Sequence, residues 1–255
     1  MTYCVGLRLD RGIIFASDTR TNAGFDNIAC FRKMHVFENK GDRTIVLLTA
    51  GNLAVTQSVI SLLNESIAQA DGGESANLMN VSTLFQAARL VGAALREVHR
   101  TDGEALGATA AAFSASFILG GQIRGEKPRL FQIYNEGNFI EATVDTPFFQ
   151  IGEHKYGKPI LDRVAVPEMR MGDAAKLLLI SFDSTLRSNL SVGMPIDMLI
   201  YRTDTYFVGE QRRIDADDPY FRSLSNGWSE ALRHAFANIE TYTNGDLDEK
   251  IPHQK

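Results

Sequence analysis

Segments that favour β-strands come in runs in this 255-residue sequence, and pairs of helix-forming segments separate the runs. The first run is predicted at 3–9, 13–17, 34–37 and 44–50, the second at 110–119, 130–134, 138–142 and 148–152, and a last pair at 198–201 and 205–209. Strands grouped in this way favour antiparallel sheets over a doubly wound parallel sheet.

Helical spacing of apolar residues predicts the segments between the runs, at about 53–70 and 81–100, near 157–165 and 173–190, and over about 227–241. Both strand runs are apolar on much of both faces. Two sheets packed on each other, with helix pairs on the outside, would bury these faces. The sequence therefore predicts an α+β sandwich in one domain, 1–255, of which 211–255 is a helical extension.

Composition excludes several classes of protein. The net charge of -5 argues against sequence-independent nucleic-acid binding, which needs a basic surface. No apolar run reaches the roughly 18 residues that a membrane span needs, and the first residues do not have the pattern of a signal peptide. Cys4 and Cys30 are too few for a disulfide framework. We expect a cytoplasmic protein that binds neither nucleic acid nor membranes.

No cofactor or metal site is predicted. The five histidines have no spacing typical of metal ligands. The glycines at 102–107 and 120–125 match no phosphate-binding loop.

The first two strands bring several reactive side chains together. If they form a hairpin centred near residue 11, residue 2 lies opposite about residue 20, so Asp18, Thr19 and Arg20 lie beside Thr2. Lys33 could reach the same place from the following loop. Taken one at a time, these residues have ordinary interpretations: Thr2 starts a strand, Asp18 ends one and Lys33 is a solvated charge.

Thr2 has the chemistry of a nucleophile if Met1 is removed. A threonine hydroxyl needs a base to take its proton, and a free α-amine, with a reference pKa of about 7.7–8.0, is such a base on the same residue. A lysine nearby would lower the pKa of the hydroxyl, and an aspartate would hold that lysine charged and in place.

Gly51 is a candidate oxyanion donor. It stands with Ala50 at the end of a strand, directly before the first helix, where a backbone N–H can face a bound ligand. The ordinary interpretation is a glycine that only makes the turn. Cys4 is an alternative nucleophile, but without a nearby histidine the sequence favours a core residue.

With these residues collected, the chain resembles the β-subunits of proteasomes, in the superfamily of N-terminal nucleophile hydrolases. The match is T-x(15)-D-x-R at Thr2, Asp18 and Arg20, followed by Gly24, Lys33-Met34 and Thr49-Ala50-Gly51. In detail it is most similar to the bacterial ancestral β-subunit branch, Anbu, whose start MTYCVGL is found here.

The resemblance implies a four-layer αββα sandwich and a threonine peptidase. Thr2 would be the nucleophile and, through its amine, the base. Asp18 and Lys33 would support it, and the Gly51 N–H would form the oxyanion hole. The resemblance also implies a primary specificity pocket lined by Thr21, Thr49 and Leu53 and a supporting serine at Ser191.

Three positions depart from the family pattern. The spacing from Asp18 to Lys33 is one residue shorter. The family's Gly-Ser-Gly is Gly152-Glu153-His154, and its Asp-x-x-Ser-Gly-Gly is found as 188–193, where Ser191 is kept but the aspartate is not. The Glu153 carboxylate is expected close to the Thr2 amine, where it would raise the pKa of the amine and weaken the base.

The family assembles into closed rings or, in this branch, open spirals, so we expect homo-oligomers. The tail aromatics Tyr220, Phe221 and Trp228 either cap the chain's own core or form a subunit contact, which the resemblance favours. No ATP-binding motif is present, so any unfolding of substrates needs an unknown ATP-dependent partner. Two alternatives to a peptidase stay open: a catalytically weak assembly protein, and a hydrolase of small non-peptide amides.

Overall fold

A computed structural model of the chain describes residues 2–22, 28–69, 75–103 and 113–242. Strands in these ranges are β1 (Tyr3–Leu9), β2 (Gly12–Asp18), β3 (Arg20–Asn22), β4 (Ile28–Cys30), β5 (Met34–Asn39), β6 (Arg43–Gly51), β7 (Ala115–Ile123), β8 (Arg129–Ile133), β9 (Phe139–Glu141), β10 (Phe148–Gly152), β11 (Ile196–Arg202) and β12 (Glu210–Ile214). Helices are α1 (Leu53–Ala68), α2 (Leu84–Asp102), α3 (Lys158–Val164), α4 (Met171–Ser188) and α5 (Pro219–Ala237).

The strands form two five-stranded antiparallel sheets. The first has the order β10-β1-β2-β11-β12 and the second the order β5-β6-β7-β8-β9. The short strands β3 and β4 pair with each other beside them. Each sheet therefore combines strands from distant parts of the chain, and β1 is an interior strand of its sheet, between β10 and β2.

Three apolar clusters define four layers. One lies between the two sheets and includes Phe15, Val46 and Leu199. A second joins the outer face of the second sheet to α1 and α2, and a third joins the outer face of the first sheet to α3, α4 and α5. The predicted αββα sandwich is confirmed, because strands that are apolar on both faces need a layer on each side.

The strand predicted at 110–119 ends too early, because Gly120 and Gly121 continue it. Both glycines lie inside β7, which runs on to Ile123. A Cβ on Gly121 would stand 1.9 Å from the Thr44 carbonyl oxygen, so the glycine permits close approach of β6 rather than a reversal. The first residues of the predicted strand, 110–112, lie outside the described residues.

The strand predicted at 205–209 is also wrong. That segment has no regular secondary structure and follows a turn at 203–204. Asp204 and Tyr206 have positive φ, and the Gln122 side chain accepts a hydrogen bond from the Asp204 N–H. The strand that follows, β12, is polar and exposed except for Ile214. Apolar periodicity could not find it, because an exposed edge strand needs no apolar face.

The last helix begins earlier than predicted. Asp218 caps α5 by accepting a hydrogen bond from the Phe221 N–H, and Pro219 stands at the first helical position. This Asp-Pro pair is a recognised helix start that the sequence contained. Within the described ranges, none of the helices combines the length and the apolar character that crossing a bilayer requires.

Candidate active site

Asp18, the last residue of β2, is fully buried and accepts three hydrogen bonds. Its Oδ1 accepts from the Tyr3 N–H at 3.0 Å and from Lys33 Nζ at 2.7 Å, and its Oδ2 accepts from the Gly193 N–H at 3.4 Å. The carboxylate thereby joins the start of β1, the approach to β5 and the loop before β11. Cys4 pairs with Ser17 in the hairpin. This register differs by one residue from the predicted one, in which residue 2 lies opposite residue 20.

Lys33 is held by the aspartate and by a backbone carbonyl. Its ammonium donates to Asp18 Oδ1 and, at 2.6 Å, to the Arg20 carbonyl oxygen. Both side chains of the ion pair are buried. Burial raises the pKa of Asp18, while the Lys33 charge and the N–H groups of Tyr3 and Gly193 act in the opposite direction.

Thr2 directly precedes β1 and is fixed through its backbone. Its carbonyl oxygen accepts a hydrogen bond from the Glu153 N–H at 2.6 Å. Gly152 has φ +83, and a Cβ there would stand 2.1 Å from the Thr2 carbonyl oxygen. The end of β10 can lie this close to Thr2 only because residue 152 is a glycine.

A cavity of about 470 Å³ opens at this end of the sheets. It is lined by Thr2, Thr21, Lys33, Thr49, Ala50, Gly51, Asn52, Leu53, Ala54, Thr56 and Gly152. Walls from β3, β6, β10 and α1 therefore surround Thr2 and Lys33.

The structure brings most of the predicted site residues together. Thr2 and Lys33 share one cavity with Gly51 and with the predicted pocket residues Thr21, Thr49 and Leu53, while Asp18 lies behind Lys33. Gly51 has φ +110, a backbone conformation that favours glycine at the strand-to-helix junction. Gly24, part of the sequence motif, lies outside the described residues.

Ser191 is not brought into this group. It is absent from the described cavity lining, and its backbone N–H donates to Asn189 Oδ1 at 2.9 Å. From the same loop, Gly193 is the residue that reaches Asp18.

The Glu153 carboxylate is directed to backbone and amide donors. It accepts hydrogen bonds from the N–H groups of His154 and Lys155 and, at 2.6 Å, from Asn189 Nδ2. Burial alone would raise the pKa of Glu153, but the donors of Lys155, Asn189 and His154 together lower it. Glu153 thus links the loop after β10 to the loop before β11, a contact that the sequence prediction did not contain.

Cys4 is a core residue, as the sequence favoured. It is fully buried in the cluster between the sheets, and its thiol donates to the Thr49 carbonyl oxygen at 3.5 Å. Burial raises the pKa of the Cys4 thiol, with a further contribution from Asp18. A buried thiol of this kind is a poor nucleophile.

Sequence reasoning missed the backbone N–H groups of Tyr3 and Gly193 and the side chain of Asn189. Backbone donors have no residue-type signal, so only the hairpin register could have indicated Tyr3. Among the residues that the structure describes, no three His, Cys, Asp or Glu side chains converge in a way that would hold a metal ion.

Comparison with protein families matches residues 2–200 to "Proteasome subunit". A comparison with curated protein sequences gives no match.

Solved structures similar to the chain cover nearly all of it. A Gly-1 mutant of Anbu from Hyphomicrobium sp. strain MC1 is 60% identical, with TM-score 0.90 over 96% of this chain and 100% of that one. Anbu, the ancestral β-subunit, from Yersinia bercovieri is 50% identical, with TM-score 0.88 over 95% and 99%. The helical assembly of the Anbu complex from Pseudomonas aeruginosa contains a chain that is 48% identical, with TM-score 0.88 over 94% and 98%.

Proposed function

The chain belongs to the proteasome subunit family and, within it, to the Anbu group of ancestral β-subunits, and from this premise we propose that it is a threonine-type peptidase. Thr2, freed by removal of Met1, is the proposed nucleophile. The substrate class is peptides, and the site works inside a homo-oligomeric ring or spiral.

One observation carries this proposal. The buried ion pair between Lys33 Nζ and Asp18 Oδ1, 2.7 Å long, stands at the cavity that Thr2 and Gly51 line. Burying two charges is costly, and a catalytic role accounts for the presence of the pair at this cavity. The ammonium stabilises the Thr2 alkoxide as it forms, while Asp18 keeps the ammonium charged and oriented.

The proposed reaction has two halves. The α-amine of Thr2 takes the hydroxyl proton, Oγ forms a bond to the substrate carbonyl carbon, and the Gly51 N–H donates to the resulting oxyanion. The C–N bond then breaks, the leaving amine takes the proton, and an ester to Thr2 is left. Water attacks this ester with the same amine as base, which releases the acid and restores the hydroxyl.

Assembly is proposed from the Pseudomonas aeruginosa relative, which forms a helical assembly. The second half of α5 has exposed apolar side chains, among them Leu232 and Phe236. We assign a cytoplasmic location from the two free thiols, Cys4 and Cys30. An ATP-dependent partner would deliver folded substrates.

Intact mass spectrometry tests the proposal. The purified protein is measured alone and after incubation with a peptide epoxyketone. We expect the loss of one Met and a single adduct on Thr2, and no adduct or peptide turnover with Thr2→Ala. Thr101→Ala, which removes an exposed hydroxyl on α2, should react like the parent.

Other results would favour the two alternatives. A retained Met1, or a free Thr2 that takes up no probe, would indicate a catalytically idle assembly protein. An adduct on Thr2 with no cleavage of a peptide library, but with release from small amides, would indicate a hydrolase of non-peptide substrates. Equal turnover by Thr2→Ala and the parent would contradict the nucleophile assignment.

A further inference from the structure

A second cavity of about 310 Å³ adjoins the cavity around Thr2. The two share Thr49, Leu53 and Thr56 as lining residues. Thr49 also lies next to the ion pair along the backbone, because its N–H donates to the Lys33 carbonyl oxygen at 2.9 Å. A substrate held at Thr2 can therefore extend a side chain past Thr49 into the second cavity.

The far wall of this second cavity is polar and cationic. Arg32 and His35 line it, and the Arg32 charge, together with burial as the larger cause, lowers the pKa of His35. Within the described part of the chain, neither side chain has a hydrogen bond or ion pair to another residue. The cavity thus contains a guanidinium and an imidazole that have no hydrogen-bond partner among the described residues.

Further donors line the same space, namely the Gln57 amide and the Ser61 hydroxyl on α1. No carboxylate of the described residues lines either cavity. Arg32, Gln57 and Ser61 are exposed and His35 is half-buried, so a ligand that enters the cavity can reach all four side chains. A carboxylate would satisfy several donors at once, and hydrogen bonds to an ionised acceptor are the stronger ones.

We propose that the second cavity is a subsite for an acidic side chain, so that the enzyme cleaves peptides beside glutamate or aspartate. The assignment deepens the proposed function and rests on it. It extends the specificity pocket that was expected from Thr21, Thr49 and Leu53, because Arg32 and His35 add a polar wall.

Peptide binding to the Thr2→Ala variant tests the subsite without any need for catalysis. Three fluorescent peptides are compared. They differ only in the residue that contributes the carbonyl group of the bond to be cleaved, and this residue is Glu, Gln or Leu. We expect the Glu peptide to bind about fivefold tighter than the isosteric Gln peptide. This ratio of dissociation constants is what one partly exposed ion pair contributes. Arg32→Gln in the same background should remove this difference.

Arg11→Gln is the matched control, because Arg11 is an exposed arginine in the turn between β1 and β2, away from the cavities. It should keep the preference for Glu. Equal binding of the Glu and Gln peptides, tighter binding of the Leu peptide, or no binding of any peptide would overturn the proposal. Glu-selective binding together with an unreactive Thr2 in the parent protein would contradict catalysis alone and leave the subsite standing.

Discussion

At the scale of single residues, the site depends on buried charges that have their partners. Asp18 has no exposed surface and Lys33 is 4% exposed. A buried ion pair contributes little net stability, yet removing one partner is costly because the other charge stays buried. The ion pair should therefore affect stability and reactivity in different ways.

Lys33→Met should lower the free energy of unfolding by about 3–5 kcal/mol, because Asp18 is left buried without its cation. The double variant Asp18→Asn, Lys33→Met should recover most of that loss, since both charges are gone. Neither variant should form the Thr2 adduct at the parent's rate. Urea denaturation and probe labelling measure the two effects. If Lys33→Met had the same free energy of unfolding as the parent, the result would contradict a buried ion pair between Lys33 and Asp18.

Glu153→Gln should lower stability at pH 7 by about 1–3 kcal/mol, because a carboxylate that accepts three hydrogen bonds is replaced by an amide. The folded pKa of Glu153 is lowered, so its contribution is complete above the usual carboxyl pKa of about 4.3 and is lost as the pH falls through the folded value.

Melting temperatures of Glu153→Gln and the parent should therefore differ at pH 7 and converge in acid. Glu168→Gln, at an exposed glutamate, should match the parent throughout. A difference that persists unchanged at pH 3 would mean that the carboxylate's charge is not involved.

At the scale of elements, the pattern of apolar residues predicted the strands and helices that contribute side chains to the core. The predicted strand 3–9 and the helix from residue 53 agree with β1 and α1, because burial fixes their side-chain pattern. β12 is exposed and could not be found in this way. Sequence patterns are limited in the same way for the site. Site residues at strand ends could be predicted from the hairpin. The contact between Glu153 and Asn189 could not, because it joins two distant loops whose positions depend on the whole fold.

Gly120→Ala tests how closely the two sheets pack. A Cβ at residue 120 would stand 2.8 Å from Leu130 Cδ1 and 2.9 Å from Phe15 Cζ, which lies on the opposite sheet. We expect a loss of about 1–3 kcal/mol from overpacking. Gly172→Ala on α4 meets no atom within 4 Å and should be neutral or stabilise by up to about 1 kcal/mol. Similar melting temperatures for the two variants would contradict this packing.

At the scale of the whole molecule, α5 has a buried first turn and an exposed second half. Phe221 is 7% exposed and belongs to the core beneath α5, so one tail aromatic does cap the chain's own core. Leu232 and Phe236, further along α5, are 50% and 81% exposed. A truncation from residue 211 would remove Ile214 and Phe221 from the core together with the exposed surface. A smaller assembly in such a variant could then result from unfolding as well as from a lost subunit contact.

The double variant Leu232→Ser, Phe236→Ser tests the proposed subunit contact and leaves the core unchanged. We expect smaller assemblies in sedimentation velocity at an unchanged melting temperature, because both side chains are exposed in the single chain. Val144→Ser, at a residue 66% exposed in the segment between β9 and β10, is the control and should leave assembly unchanged. A sedimentation profile identical to the parent's would contradict a subunit contact through α5.

The lining of the Thr2 cavity takes none of its described residues from α4, α5, β11 or β12. Substitutions in those elements can accumulate along a lineage while the cavity walls stay the same. The surface through which copies of the chain meet can therefore change while the residues around Thr2 stay as they are.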